Sequence, residues 1–383
     1  MSRQHRKPKQ LTLYGKFDCL SPLRVKPPLV APPAAPQTTT PHPPKQLKTF
    51  IDLFAGVGGF HLAASRQGLE CVFASEIDQA AGEVYAANFG LAPAGDITAI
   101  NARDIPDHDL LCAGFPCQPF SIIGSRGGFE DTRGTLFFDI ARILAEKRPT
   151  AFILENVRQL VTAGGGVIMR RILETLEELG YQVEYRILNA LDYGLPQKRE
   201  RVLIVGRLDT MDGFDWPEPV KRRKTLKQLL EKNPDKRHFV SERIARARRD
   251  AHQTDISPTI WHENKGGNIA SHSFSCALRA GASYNYLLVD GKRRLTPREM
   301  FRLQGFPDTF KLHEKDSQCR KQAGNSVPVP MIEAAIRSLA HAGTTQAEGR
   351  QRQAVRAVAN RPDSAGGHPC DRQAACASPR HRA

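Results

Sequence analysis

The chain has 383 residues, 40% of them hydrophobic, enough for a real core and long for one compact domain, so two lobes with tails are expected. Apolar runs such as 110–115 are too short to span a bilayer, and the opening Met1-Ser2-Arg3-Gln4-His5-Arg6-Lys7 leads into no apolar stretch of a secretory signal. The net charge of +15 is concentrated, with +8 in residues 1–48, +4 in 341–383 and +9 in 221–249, which leaves −6 for the rest and argues against a uniformly basic surface.

A basic patch between basic tails suits a polyanion met at one place. A solvated basic helix with solubilising tails accounts for the charge equally well. Eight cysteines lack paired metal-ligand spacing, so free thiols, a cytoplasmic location and no metal are expected.

Residues 1–46 hold ten prolines without periodicity and read as a disordered tail; residues 342–383, rich in Arg, Ala and Gln, read likewise. Between them, 47–208 alternates strand and helix. The pattern predicts strands at 49–54, 71–74, 110–113, 151–154 and 202–205, and helices at 60–66, 79–89, 135–146 and 167–179. Such alternation implies an α/β fold with a mostly parallel sheet, helices on both faces, and ligands beyond the carboxyl ends of the strands. From 209 to about 290 periodicity weakens, and a second, smaller lobe is expected over 209–310. Residues 311–341 return to the first lobe with a helix at 330–340.

The loops after the strands carry the chemistry. The first is Asp52-Leu53-Phe54-Ala55-Gly56-Val57-Gly58-Gly59, whose glycines let backbone approach a ligand. A dinucleotide fingerprint wants Gly at its sixth position, and His61 stands there, which disfavours a nicotinamide enzyme. Glu76 follows the second strand, where an acid commonly holds ribose hydroxyls; Asp96 follows the next break and can accept from an adenine amino group. For either acid, a cap or turn residue is the simpler explanation. Cys117 lies between Pro116 and Gln118-Pro119 on a stiff loop, whereas Cys112 sits inside an apolar run. A nucleophile must be reachable, so Cys117 is the candidate and Cys112 is core. Glu155 closes the strand 151–154 and can move a proton, or merely cap a turn. Arg199 and Arg201 alternate on an extended segment, projecting to one side as a clamp for a phosphate or base edge, or as a charged edge strand.

Taken in order, these segments resemble the DNA cytosine-5 methyltransferases. The resemblance runs from about Lys48 to Ala340. It covers the 52–59 turn, Glu76, Gly95-Asp96-Ile97, Pro116-Cys117-Gln118, Arg133-Gly134-Thr135-Leu136, Glu155-Asn156-Val157 and Gln197-Lys198-Arg199-Glu200-Arg201. It ends with Arg298-Glu299, Arg302-Leu303-Gln304-Gly305-Phe306-Pro307 and Gly324-Asn325-Ser326-Val327-Pro328. It implies a Rossmann-like S-adenosylmethionine-dependent domain plus a target-recognition lobe. By this resemblance Cys117 attacks carbon 6 of a flipped cytosine, Glu155 protonates N3, Arg199 contacts the base carbonyl, and Arg201 supports the loop or the cysteine. Phe54, Gly56, Gly58, Gly59, Glu76, Ile77, Asp96, Ile97, Pro116, Leu136 and Asn325 form the cofactor pocket. Some relatives carry an aromatic residue where Ile77 stands, so stacking on the cofactor is expected to be weaker here. Base-edge readers are sought in the Gly-rich stretch 261–286, and the basic cluster meets phosphates of double-stranded DNA.

A monomer is expected, acting beside a cognate restriction endonuclease or as an orphan methylase. The RNA-methylating branch shares the catalytic segments, but its Cys-Phe-Thr tripeptide does not occur here. A DNA-binding protein without catalysis is disfavoured by the intact set of Cys117, Glu155, Arg199 and Arg201.

Overall fold

The computed structural model describes residues 45–116 and 136–342. Both tails, and the loop with Cys117 and Arg133-Gly134-Thr135, lie outside these residues. The strand–helix alternation is realised as β1 (Thr49–Leu53), α1 (Gly59–Ser65), β2 (Glu70–Ser75), α2 (Gln79–Phe89), β3 (Leu110–Gly114), α3 (Leu136–Lys147), β4 (Ala151–Val157) and α4 (Val167–Glu178). Then come β5 (Gln182–Asn189), the short β6 (Gln197–Lys198) and β7 (Glu200–Arg207).

The main sheet runs β2-β1-β3-β4-β7-β5. β1 is parallel to β2 and β3, and β3 to β4, while β7 is antiparallel to both neighbours. The strand order reverses between β1 and β3, so a crevice opens at their carboxyl ends.

Side chains alternate across the sheet with period two. Ile51, Leu53, Leu111, Ala113, Phe152 and Leu154 bury one face against Phe137 and Ile140 of α3 and Ile172 of α4. Phe50, Leu110, Cys112 and Ile153 bury the other against Phe60 and Ala63 of α1 and the C-terminal helix. That second cluster continues without a break into Trp216, Leu226, Ile260, Leu287 and Phe301.

The later chain carries α5 (Leu226–Leu229), α6 (Glu242–Ala251), β8 (Ile260–Glu263), β9 (Ile269–His272), β10 (Ser275–Cys276) and β11 (Leu287–Val289). β11, β8 and β9 form an antiparallel sheet, and β10 pairs with β6, joining this region to the first. α7 (Pro297–Gln304), α8 (Asp316–Asn325) and α9 (Val329–His341) lead the chain back, and α9 packs beside α1.

α7 starts where its sequence says it should. Thr296 and Glu299 form a reciprocal capping box with Pro297 in the first turn. Glu299 is fully buried, and its carboxylate also takes both terminal nitrogens of Arg293 at 2.8 Å and the Glu231 N–H at 2.8 Å. Glu299→Ala strands a buried guanidinium. It is expected to cost about 3–5 kcal/mol, read as a lowered urea midpoint; an unchanged midpoint would refute the assignment.

Candidate active site

The crevice at the strand ends is a cleft of about 620 Å³, within the range of small-ligand sites. β1 is followed by Phe54, whose φ of 54° places a bulky residue in the left-handed region and turns the chain sharply toward α1. Ala55 N donates to Ser75 O at 3.0 Å, fastening the turn to β2. Glu76 then braces both elements: Oε2 accepts from Gly56 N and Oε1 from Asp78 N, each at 2.7 Å. Ser75 Oγ donates to Gly95 O at 2.8 Å, which brings Asp96 alongside Glu76. Asp96 also caps a short turn by accepting from Thr98 N at 2.9 Å. Both acids therefore do the local work of turn residues and still line the cleft.

Phe54, Gly56, Gly59, Glu76, Ile77, Asp96, Ile97, Pro116, Leu136 and Asn325 all line this cleft, with Glu155, Arg199 and Arg201. Ile77 is 74% exposed at its mouth. Gly58 departs from expectation. It caps α1 at φ 88°, and a Cβ there would sit 2.2 Å from the Phe89 ring, so packing rather than a ligand demands this glycine. His61 explains the broken dinucleotide pattern. Its ring stacks on Phe89 at 3.8 Å and bonds Tyr85 Oη at 2.6 Å, and burial pushes its pKa down to about 4.

At the catalytic end, register sets Gly114 beside Glu155 and Val157 beside Arg201. Arg201 Nε pairs with Glu155 Oε1 at 2.7 Å, both side chains nearly buried. Glu155 Oε2 is left without a hydrogen-bond partner among the described residues. Asn156 Nδ2 donates to Phe115 O at 2.9 Å, so β4 holds the main chain just before Pro116 and Cys117. Cys117 itself lies outside the described residues. The four described cysteines are poor nucleophiles: burial raises the thiol pKa of Cys71 to about 12 and of Cys319 to about 11, and raises those of Cys112 and Cys276.

Arg199 does not match the expected contact with a base carbonyl. Its Nη1 donates to Leu278 O at 2.8 Å, and its Nη2 to Gly324 O at 2.9 Å and Ser326 O at 2.7 Å. Three backbone carbonyls thus take its terminal nitrogens in the seam between chain segments. Burial, with Arg201 nearby, lowers its pKa to about 9. The edge-strand alternative also falls: Arg199 lies in no strand, and Arg201 belongs to β7, which lies between β4 and β5.

Other residues of the seam escaped notice as a set. Gln197 Nε2 reaches Leu303 O at 2.9 Å, and Gln304 Nε2 reaches Ala323 O at 2.6 Å. Gln304, polar between Leu303 and Gly305-Phe306, was the available signal; Gln197 runs into Lys198-Arg199-Glu200-Arg201 and offers none. Lys321 pairs with Asp78 at 2.5 Å across 243 residues, for which sequence offers no local signal.

The model for C-5 cytosine-specific DNA methylases matches residues 48–341 of this chain. The chain belongs to this family. The methylase is 56% identical over 287 residues to the type II methyltransferase M.NgoBI of Neisseria gonorrhoeae, covering 74% of this chain and 90% of that protein. It is 51% identical over 298 residues to the type II methyltransferase M.HaeII of Haemophilus aegyptius, covering 77% and 93% respectively. The fold is also that of the S. pombe Dnmt2 methyltransferase crystal structure, with a TM-score of 0.59 at 21% identity over 78% of this chain and 98% of that one. Membership makes the protein a DNA cytosine-5-methyltransferase and implies S-adenosylmethionine as methyl donor.

Among the described residues, no helix is long and apolar enough to cross a membrane, and no group of three or more His, Cys, Asp and Glu could hold a metal.

Proposed function

We propose that this methylase flips a cytosine from a short duplex DNA sequence into the cleft and methylates carbon 5 through a covalent bond from Cys117 to carbon 6. What carries the reading is convergence. Glu155 and Arg201 stand in the same cleft as the 54–59 turn, Glu76 and Asp96, so methyl donor and target base share one chamber.

The residues fit S-adenosylmethionine. Two carboxylates stand where ribose hydroxyls and an adenine amino group need acceptors. Ile77, Phe54 and Ile97 offer apolar surface for a planar ring. A Cβ on Gly56 would meet nothing within 4 Å, so backbone there can lie against a ligand. Bound, the cofactor supplies an electrophilic methyl group on a sulfonium.

The protein's own groups make carbon 5 able to accept it. That carbon is a weak nucleophile. Addition of the Cys117 thiolate at carbon 6 forms an S–C bond and shifts the ring's electron pair toward N3, leaving carbon 5 enamine-like. Glu155 Oε2 exchanges a proton with N3 where negative charge develops. Arg201 fixes Glu155 through Nε and donates Nη1 to Glu200 O at 2.9 Å. Its Nη2, without a partner among the described residues, takes over the carbonyl contact first expected of Arg199. After carbon 5 has taken the methyl group, loss of its proton and breakage of the S–C bond restore the ring and the thiolate.

We further place the enzyme as the modification partner of a restriction endonuclease, in line with the type II relatives. The test is incubation of unmethylated duplex DNA with labelled S-adenosylmethionine, then bisulfite mapping. 5-Methylcytosine at one short motif is expected, and resistance of that motif to a nuclease that cuts it. Label entering tRNA but not DNA would overturn the proposal.

A further inference from the structure

The main chain at 278–280 is held from several sides. Leu278 N donates to Gln197 Oε1 at 3.1 Å, and Leu278 O accepts from Arg199 Nη1 at 2.8 Å. Both partners are buried and belong to the segment that carries Arg201. Arg279 N donates to Tyr286 Oη at 2.9 Å. Gly324, one residue before the cleft residue Asn325, closes against the next step of the chain: a Cβ on it would lie 2.4 Å from Ala280 N. The backbone here is thus fixed relative to Glu155 and Arg201.

The side chain that leaves this anchored backbone is exposed and uncommitted. Arg279 lays its guanidinium over the Tyr286 ring, 4.8 Å from the centroid, with no acceptor for its nitrogens among the described residues. The arginines around it are engaged. Arg294 Nε bonds Asn285 Oδ1 at 2.9 Å, Arg320 bonds the carbonyls of Ala282 and Ser283, and Arg237 pairs with Asp316 at 3.3 Å. Stacking occupies one face of the Arg279 fork and leaves its edge donors without a partner among the described residues. A flat pair of donors on a fixed mount matches the N7 and O6 acceptors of guanine in the major groove. A phosphate requires only charge. Lys221, Arg222, Lys224 and Lys227, all exposed and without ion pairs among the described residues, meet that need better.

We propose that Arg279 reads a guanine in a base pair flanking the target cytosine. The proposal rests on duplex DNA being the substrate, as proposed above. Wild type, R279A and R279K are each incubated with unmethylated genomic DNA, and methylation rates are mapped by bisulfite sequencing over all sequence contexts. The wild-type motif should contain a guanine, on either strand, in a pair next to the methylated cytosine. In R279A, preference for that guanine over other bases should fall by about tenfold or more, with preferences elsewhere retained. R279K keeps the charge but loses the fork, so it should share the relaxed position. Unaltered preference at every position in R279A overturns the proposal. So does a uniform slowing in R279A that R279K restores, which marks a phosphate contact. Failure of the underlying reading looks different, because wild type itself would then place no 5-methylcytosine in duplex DNA.

Discussion

Cys117→Ala should abolish turnover, lowering methyl transfer per folded molecule by roughly 10⁴-fold or more, the scale seen when covalent enzymes lose their nucleophile. The methyl donor cannot reach an unactivated carbon 5 with any profit, because without the S–C6 bond the ring does not deliver its electron pair there. Binding of S-adenosylmethionine should persist, since Glu76, Asp96 and the 54–59 turn do not depend on the thiol. Cys112→Ala is the matched control. Cys112 lies in β3 on the sheet face covered by α1 and α9, fully buried. Its loss leaves a small cavity, so the melting temperature should drop while activity per folded molecule stays near wild type. Quench-flow methyl transfer and cofactor titration on both variants decide the matter. A Cys117→Ala enzyme within tenfold of wild type would remove Cys117 from the mechanism.

The parts of this site legible in sequence are those written locally. β1, its glycine turn and α1 could be read because the apolar Phe50, Ile51 and Leu53 lead straight into Gly56, Gly58 and Gly59. The strand-end side of the cleft followed, because in a parallel sheet loops after neighbouring strands must meet. β5 was missed. Its 182–189 stretch does carry the period-two signal, Val183, Tyr185 and Ile187 alternating with Gln182, Glu184 and Arg186, yet Tyr185 and Ile187 stay exposed on an edge strand. The reversed direction of β7 has no local signature at all. Arg199 was misplaced for a definite reason. Alternation predicts side only along an unbroken strand, and the strand breaks at Arg199, between β6 and β7. Its guanidinium turns into the seam and meets carbonyls 79 to 127 residues away. Gly58 shows the same limit: a glycine needed for a ligand and one needed for Phe89 look identical in sequence.

Glu155→Gln separates proton transfer from architecture. The Glu155–Arg201 pair is nearly buried, with only Oε1 committed to the guanidinium. An amide keeps the shape, and its oxygen can still accept from Arg201 Nε. What it cannot do is give a proton to N3, so charge that develops as Cys117 attacks goes uncompensated. The expected loss in kcat is about 10²–10⁴-fold, the range for removal of a positioned acid. KM for DNA should change far less, since the ground-state base still finds a hydrogen-bond donor at that place. Arg201→Met should be worse folded, because it leaves the nearly buried Glu155 carboxylate without its partner. Single-turnover rates with saturating DNA, set beside thermal melts of both variants, resolve the two contributions. A Glu155→Gln enzyme with wild-type kcat would mean that Glu155 serves only to hold Arg201, and that the proton on N3 comes from water.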